Sequence, residues 1–291
     1  MNSIIVCNTG ADSLSRITLN NLHLENIPFN LGEKPIGPNG IRTYDDGFIT
    51  ANNYNDSISF FDKNTFAEKK NIKIGPAPND LTVYDNKVYT ICGESNSVVV
   101  YDICKDKILY DISIGSWPYS IDSDIDKGLA FVTNFESNNI SIINMSNNTV
   151  VKQIEANEYP TRVLLSRDKK ILYVSESYLG HDKNGFIEAV STETLTTINR
   201  IMVGSSPMDI VEGERNIYVS NFTDGTISVI NKSNMIVQDE IYIGGMPKGM
   251  IIYKDRLFVA DYLKGRLYII ENHQINKVIA IESEPNAMTL F

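Results

Sequence analysis

The chain has 291 residues, of which 42% are hydrophobic and 21% charged, and its formal net charge is −10. These values are typical of a globular protein and exclude disordered, collagen-like and fibrous chains. A negative net charge argues against nucleic acid as a partner, because nucleic acid attracts basic surfaces. No apolar run reaches the ~18 residues of a membrane helix, and no basic, then apolar leader opens the chain. We therefore expect neither membrane insertion nor a signal peptide.

The three cysteines, Cys7, Cys92 and Cys104, stand far apart and share no metal-ligand spacing. An odd number in a chain of this length is not a disulfide framework. We expect small buried thiols rather than a redox site. No glycine-rich phosphate loop, Ser-His-Asp order or zinc spacing occurs elsewhere, so the sequence predicts neither a cofactor nor a metal.

A proline repeat runs through the whole chain in the pattern x-Pro-x-x-apolar. Successive prolines stand 40, 40, 42, 47, 40 and 38 residues apart, close to the ~40–45 residues of a four-stranded propeller blade. Several are preceded by an apolar-glycine step, as in Ile74-Gly75, where glycine suits a tight turn. A similar step at 32–35 stands three residues early, which we interpret as an insertion. The repeat prolines are Pro38, Pro78, Pro118, Pro160, Pro207, Pro247 and Pro285.

Within one repeat the residues have the pattern of short strands. In the unit that begins at Pro207, β-branched and aromatic residues fill 217–220, 226–230 and 236–243. Turn formers such as Thr223-Asp224-Gly225 separate these runs, and no stretch has a sustained helical period. Each repeat therefore predicts four strands, a to d, of an all-β fold.

The two ends of the chain are each an incomplete repeat. Residues 4–8, 14–19 and 25–31 have the pattern of strands b, c and d, and 285–291 has that of strand a alone. Pairing them in one blade would cover the strand edges that an open array exposes. The sequence thus predicts one seven-bladed β-propeller domain, closed by three N-terminal strands plus one C-terminal strand. The expected blades are 1–37 with 285–291, 38–77, 78–117, 118–159, 160–206, 207–246 and 247–284.

The recurring Ile-Gly-x-x-Pro step, Tyr-Val-Ser-Asn at 218–221 and Ser-Val-Ile-Asn at 228–231 resemble the bacterial YVTN-repeat β-propeller family and its lactonase-like relatives over essentially the whole chain. The resemblance implies that the d–a and b–c loops open on one face, which we call the top face, around the mouth of a central channel. It implies little about activity, because such propellers serve as surface, binding and enzymatic proteins on one scaffold.

The top face is expected to gather aromatic and charged residues. The aromatic residues expected there are Trp117, Tyr119, Phe135, Tyr159, Tyr178, Phe222 and Tyr262. Trp117, the only tryptophan, is the best single anchor for a partner. The alternative is that these rings pack between neighbouring blades, since exposed aromatics need no function. The candidate binding residues are Trp117, Tyr119, Arg162, Glu176, Tyr178, His181, Asp209, Lys248 and Asp261.

A small polar residue closes strand b in nearly every repeat, and we call this set the strand b column. A ring of oxygen atoms would suit Ca²⁺. Recurrence in every blade is explained more simply by each blade's own turn, where Asn or Asp bonds local backbone and tolerates left-handed geometry. Cys92, Glu176 and Asp261 depart from the common asparagine. The column is Asn8, Asn52, Cys92, Asn134, Glu176, Asn221 and Asp261.

The fifth repeat carries an insertion after strand b. Asn221 stands six residues before Ile227, whereas Glu176 stands eleven before Ile187, so five extra residues enter the loop 177–186. The insertion is either a neutral decoration, since surface insertions are tolerated, or a segment that overhangs the mouth and contacts the partner.

Residues for catalysis are few. His23 and His273 fall at outer positions of their blades and cannot converge with His181. A lactonase-like reaction would have to use His181 with the charged residues Arg162, Glu176, Asp209 and Asp261.

The favoured function is therefore a noncatalytic binding or structural scaffold that engages a protein or a glycan through its top face. The alternative is a lactonase-like hydrolase that acts on a small lactone or sugar acid. The expected setting is the cytoplasm, or a spore coat or appendage that the mother cell assembles from its own cytoplasm. That setting rests on the family resemblance and the missing leader.

Overall fold

The structure, a computed structural model, describes residues 2–29, 32, 34–181 and 183–291. Within these residues, twenty-eight strands form seven four-stranded antiparallel sheets. Two single-turn 3-10 helices, Thr9–Ala11 and Asn53–Asn55, are the helical elements of this part of the chain. The fold is the seven-bladed β-propeller that the repeat predicts. None of the described helices has the length and apolar character needed to cross a membrane.

The blades follow in the strand order a, b, c, d. The first four are β28 (Pro285–Leu290), β1 (Ser3–Asn8), β2 (Ser13–Thr18), β3 (His23–Pro28); β4 (Pro38–Tyr44), β5 (Gly47–Asn52), β6 (Ser57–Asp62), β7 (Glu68–Lys73); β8 (Pro78–Tyr84), β9 (Lys87–Cys92), β10 (Ser97–Asp102), β11 (Lys107–Ser113); and β12 (Pro118–Asp124), β13 (Leu129–Asn134), β14 (Asn139–Asn144), β15 (Thr149–Glu155). The last three are β16 (Pro160–Leu165), β17 (Ile171–Glu176), β18 (Asn184–Ser191), β19 (Thr197–Ser205); β20 (Pro207–Glu212), β21 (Asn216–Asn221), β22 (Thr226–Asn231), β23 (Ile236–Tyr242); and β24 (Pro247–Tyr253), β25 (Arg256–Asp261), β26 (Arg266–Glu271), β27 (Gln274–Ala280).

Every repeat proline is the first residue of a strand a. Proline fits the start of a strand because it has no amide hydrogen for the ladder. Each strand a packs against the strand a of the next blade, and the series closes where β24 contacts β28 and β28 contacts β4. The seven strands a therefore surround a central channel and begin at the same end of it.

The two chain ends share the first blade. β28 pairs antiparallel with β1, and β2 and β3 continue the sheet. At the outer end of this pairing, Ser3 and Phe291 exchange two backbone hydrogen bonds of 2.6 and 2.8 Å. The predicted closure by three N-terminal strands and one C-terminal strand is confirmed.

Strand d of the first blade is shorter than predicted. It spans His23–Pro28 instead of 25–31. A tight turn explains its early start, because the Leu22 amide donates to the Thr18 carbonyl with Leu22 in the left-handed region at φ 57°. Leu31 and Glu33, on which the interpretation of 32–35 depends, lie outside the described residues.

Apolar side chains from neighbouring blades fill each interface. One cluster combines Ile49 and Ile58 of the second blade with Leu81 and Val88 of the third, all fully buried. Cys7 and Cys92 belong to such clusters, as expected, and burial raises the pKa of the Cys92 thiol to about 12. Cys104 departs from the expectation because it lies exposed after β10.

Removing residues 285–291 is expected to lower the melting temperature by ~10 °C or more, or to cause aggregation, because β1 would become an unpaired edge of buried residues. Thermal unfolding and light scattering measure both effects. Phe291→Ala is the control, since it removes ring contacts to Phe48 and Phe66 but keeps β28. A truncated chain that melted like the parent without aggregating would contradict closure by this strand.

Candidate functional site

A pocket opens at the mouth of the central channel. The residues one and two positions after the repeat prolines line most of it, because all strands a begin at this end, and all seven blades contribute. Four of the predicted binding residues lie here, namely Tyr119, Arg162, Asp209 and Lys248.

A chain of ion pairs crosses the pocket floor. The Arg162 Nε lies 2.9 Å from Asp209 Oδ1, and its Nη1 lies 3.3 Å from Asp80 Oδ2. Arg42 reaches the same Asp80 oxygen at 3.3 Å. Burial disfavours the charge of Arg162, but the carboxylates of Asp209, Asp80 and Asp122 outweigh it and raise the pKa of the guanidinium. Burial raises the pKa of Asp209, although Arg162 opposes that shift.

The carboxylates of this network also bind backbone amides of adjacent blades. Asp209 accepts from the amide of Ile210 at 2.9 Å and from that of Met250 in the next blade at 2.7 Å. Asp80 accepts from the Leu81 amide at 2.9 Å. Asp80 and Asp209 therefore fix the ring of strands a, and their lone pairs are largely used.

A row of rings, which we call the aromatic arc, lies in the top-face loops from the fourth to the fifth blade. Tyr119 and Phe135 have ring centroids 6.0 Å apart, and Phe135 and Tyr159 are 5.2 Å apart. Tyr159 then meets Tyr178 at 6.3 Å and stacks on His181 at 5.5 Å. Two of the predicted residues, Tyr178 and His181, thus join the arc rather than the pocket.

Phe135 and Tyr159 were missing from the predicted binding set, yet they connect the arc. Each has a fixed place in the repeat, since Phe135 follows a strand b column residue and Tyr159 precedes a repeat proline. The Phe135 amide donates to the carbonyl that precedes Pro118, and this bond recurs between the same two positions in other blades. Those two sequence positions are the reason that both rings were expected on the top face, but they do not show which of the top-face rings touch one another.

Lys248 differs from the other cations of the pocket. Its Nζ lies 4.8 Å from the centroid of the Tyr262 ring, which in turn lies 5.8 Å from Phe222. Within the described part of the chain Nζ forms no hydrogen bond or ion pair. Burial lowers the pKa of Lys248 to about 8, although Glu284 acts in the opposite direction.

The Trp117 side chain belongs neither to the pocket lining nor to the ring contacts of the arc among the described residues, although its carbonyl accepts from the Phe135 amide. Trp117 is one of the exposed large hydrophobic residues, with 38% of its surface accessible to solvent. Its amide donates to Asn96 Oδ1 at 2.8 Å, and its backbone has a positive φ of 54°. Ala77 and Tyr159, at the same position before a proline, share that conformation. The structure does not bring the predicted anchor into contact with the other candidates.

The strand b column is buried below the top-face loops, and its bonding differs from the prediction. The Nδ2 of Asn52 donates to Ser57 Oγ at 3.1 Å and to Ser59 Oγ at 2.8 Å, both on strand c. Asn52 has an extended backbone, with φ −112°. The prediction of left-handed geometry is therefore wrong for the column, and that of local backbone bonds is wrong for its asparagines but holds for Asp261. The reason is that strand pairing already occupies the backbone at this position, so the amide turns to the neighbouring strand.

Two of the glycines that stand three residues before a repeat proline have another role than predicted, whereas Gly244, with φ 68°, has the left-handed backbone of a turn. A Cβ at Gly115 would lie 2.7 Å from Cγ of Asn134, and one at Gly204 would lie 2.7 Å from Cγ of Asn221. Neither glycine has a left-handed φ. At these two positions glycine is therefore needed for close approach to the column side chain rather than for the turn itself.

Where the column departs from asparagine, the facing residue on strand c changes with it. Asn134 bonds Ser141 at 2.9 Å, and Asn8, Asn52 and Asn221 likewise bond a serine that lies two residues beyond their paired partner on strand c. The corresponding pairs elsewhere are Cys92 with Val99, Glu176 with Glu188, and Asp261 with Tyr268. These two positions therefore vary as a unit.

Glu176 is fully buried and bound on both oxygens. Arg200 donates to Oε2 through Nε at 3.0 Å and through Nη2 at 2.5 Å. Asn157, which stands where other blades have glycine, donates to Oε1 at 2.8 Å. Burial raises the pKa of the adjacent Glu188, and the carboxyl of Glu176 adds to that shift.

Asp261 is likewise buried and bound. Its Oδ1 accepts from the amides of Met246 at 3.0 Å and Lys264 at 3.1 Å. It therefore fixes two loops of the seventh blade and lies beneath the top face rather than in the pocket.

The insertion in the fifth blade is confirmed at five residues. Glu176 pairs with Phe186, whereas Asn134 pairs with Asn139. β18 begins at Asn184, so the last three residues of the predicted loop belong to a strand. Arg200 lies 3.8 Å over the Phe186 ring and thereby joins the loop to the buried Glu176. Asp182 lies outside the described residues.

The histidines remain separate. His273 lies in the turn between β26 and β27 and bonds Asp239 at 2.7 Å, and His23 opens β3. Across residues 2–29, 32, 34–181 and 183–291, no group of three or more His, Cys, Asp or Glu residues could hold a metal ion.

The fold is similar to that of several solved structures. A functionally unknown protein from Desulfotomaculum acetoxidans has a TM-score of 0.84 at 13% identity, over 100% of this chain and 99% of that one. A Bacteroides fragilis protein provisionally named a 6-phosphogluconolactonase has a TM-score of 0.78 at 16% identity, over 100% and 98%. Kuenenia stuttgartiensis hydrazine synthase has a TM-score of 0.68 at 20% identity, over 87% and 80%. No family profile and no curated protein matches the sequence. At these identities the likeness concerns the fold alone.

Replacing both Glu176 and Glu188 should restore the Asn–Ser pair that most other blades have at these two positions. Glu176→Asn or Glu188→Ser alone is expected to lower the free energy of unfolding by ~1–3 kcal/mol, because each leaves a buried carboxyl with altered partners. The double variant recreates an Asn–Ser pair, so its loss should be smaller than the sum of the single losses by about 1 kcal/mol. Urea unfolding of the four proteins measures this coupling, and additive losses would contradict it.

Lys248→Met is expected to raise the free energy of unfolding at pH 7 by on the order of 1 kcal/mol, because a partly buried unpaired charge is removed. The folded pKa of about 8 lies below the ordinary 10.5. Between these values the unfolded chain holds a proton that the folded chain has released, so the parent gains stability as pH rises. Urea unfolding at pH 7 and pH 10 should show the advantage of the variant shrinking. Lys264→Met, on the exposed rim, is the control, and a pH-independent difference would argue against the shift.

Proposed function

We propose that this protein is a noncatalytic binding propeller that engages a glycan or a protein with its top face, through the pocket and the aromatic arc. The observation that carries the proposal is that the pocket and its surroundings offer recognition groups, while the carboxylates near them serve the fold. Asp209 binds Arg162 and two backbone amides. Glu176 binds Arg200 and Asn157.

A lactonase-like reaction would need a group within reach of the ligand that can accept a proton. Asp261 and Glu176 are fully buried beneath the loops. His181 is exposed, and its ring stacks on Tyr159 rather than bonding to a carboxylate. These contacts favour binding over hydrolysis. The likeness to a lactonase-named structure concerns only the fold and does not change that balance.

The aromatic arc supports a ligand with both apolar faces and polar edges. Rigid aromatic rings supply large contact area at a small cost in conformational entropy. The pocket beside the arc is lined by charged groups and by the side-chain amides of Asn39, Asn79 and Asn286. A sugar ring presents CH groups on its faces and hydroxyl groups at its edge, so a glycan fits this combination.

We propose a surface or spore-coat assembly, or a cytoplasmic scaffold, as the setting. The support is the resemblance of the repeat to propellers of bacterial surfaces. Exposed apolar side chains of the top-face loops, such as Tyr54, Leu179 and Leu263, add area on which a protein or glycan layer could be bound.

Shortening the loop after Glu176 by five residues is expected to keep the melting temperature but to reduce binding at least ~10-fold, because the variant loses ring area from the arc without altering a strand. A glycan array and light scattering of self-assembly measure binding. Tyr110→Ser, on the outer strand β11, is the control for loss of an exposed ring.

Hydrolysis of gluconolactone by the pure parent protein, abolished by Glu176→Gln, would overturn the noncatalytic assignment. A shortened protein that bound and assembled like the parent would overturn the assignment of the top-face loop.

A further inference from the structure

The pocket at the channel mouth is positively charged although the chain as a whole is acidic. Arg42, Arg162 and Lys248 line it, and the carboxylates among its lining residues are Asp80 and Asp209. Both arginines are neutralised by these carboxylates at 2.9–3.3 Å. One positive charge of the lining, that of Lys248, therefore forms no ion pair with any of the described residues, in a chain of net charge −10.

Among the described residues, no carboxylate lies within ion-pair distance of Lys248, and Glu284 acts on it only at longer range. The nearest group recorded for Nζ is the face of the Tyr262 ring, at 4.8 Å. Glu284 acts on Lys248 only through space, and its carboxylate is hydrogen-bonded to the Tyr262 hydroxyl. A partly buried cation without a carboxylate partner is costly to the fold, which is why proteins pair such charges. A partly buried lysine without an ion-pair partner at the mouth of a pocket is therefore suited to bind an anionic ligand.

Tyr119 adds a second donor to the same pocket. It comes from strand a of the fourth blade, and Lys248 comes from strand a of the seventh. Tyr262 lies close enough to Tyr119 for its charge to influence that hydroxyl. Burial raises the pKa of Tyr119 to about 12, so its hydroxyl remains a donor at neutral pH. An ammonium and a hydroxyl together suit the two oxygens of a carboxylate.

We propose that Lys248 binds the carboxylate of an acidic sugar, a hexuronate, whose ring rests against the aromatic side chains of the mouth. This inference rests on the proposed glycan-binding function and names its ligand class. The single unpaired charge matches a monoanion, whereas a phosphate would bring close to two negative charges near Asp209 and Asp80. The same mouth is thus better suited to a carboxylate than to a phosphate.

The test uses three synthetic trisaccharides that differ only in the terminal group, which is glucuronate, glucose or glucose 6-phosphate. Isothermal titration calorimetry compares the parent with Lys248→Met, Lys248→Arg and the rim control Lys264→Met. We expect the parent to prefer glucuronate over glucose by ~10-fold or more. Lys248→Met should abolish the preference for glucuronate but keep the weaker binding of the glucose trisaccharide. Lys248→Arg should keep most of the preference for glucuronate, and Lys264→Met should behave as the parent.

Each other outcome overturns the inference in a recognisable way. Equal binding of glucuronate and glucose, or a preference that survives in Lys248→Met, removes Lys248 as the anion-binding group and leaves the proposed function intact. If the glucose 6-phosphate trisaccharide binds more tightly than the glucuronate one, the ligand group of the pocket is a phosphate and not a carboxylate. If no trisaccharide binds, the hexuronate inference fails, and the assembly measurement of the loop-shortened protein decides separately whether the top face binds a protein.

Discussion

Closure of the ring is the constraint on which the rest of the structure depends. Each blade buries its apolar faces only against its two neighbours, so no blade has a complete core by itself. The first blade contacts the second blade through one apolar cluster and the seventh blade through another. The first blade has its fourth strand only because β28 pairs with β1. The pairing of β28 with β1 also places Pro285 at the same end of the central channel as the other repeat prolines. The pocket, which is built from the residues after those prolines, therefore depends on it as well.

Much of the fold could be predicted because the repeat is a physical period rather than a family likeness alone. The spacing of the prolines gives the number of blades, since each proline must stand where a strand begins and no ladder amide is needed. The incomplete units at the two ends predict the shared blade. Strand d of the first blade was placed too late, because a tight turn after Thr18 leaves no periodic signal in the sequence.

The site could be predicted only in part, for a different reason. A repeat places residues at equivalent heights, so the sequence could bring Tyr119, Arg162, Asp209 and Lys248 to one pocket. It could not show which direction a side chain takes or what it bonds. Glu176 and Asp261 have the right height but are buried under the loops, and Trp117 has the right loop but its side chain does not line the pocket. The pairing of Arg162 with Asp80 and Asp209 joins three blades, so no single repeat reveals it. The unpaired state of Lys248 follows only once those partners are known.

The shared blade also has a consequence for the time course of synthesis. β1 is made before the other strands of the propeller, and its partner β28 is made after all of them. Pro285 follows Asn8 by 277 residues, so at ~5–20 residues per second the two partners emerge roughly 15–55 seconds apart. During that interval β1, with every one of its residues destined for the interior, presents one open edge to its surroundings. The open edge of β1 is therefore exposed to pairing with other chains until β28 is made, and slower translation of the segment between them would lengthen that exposure.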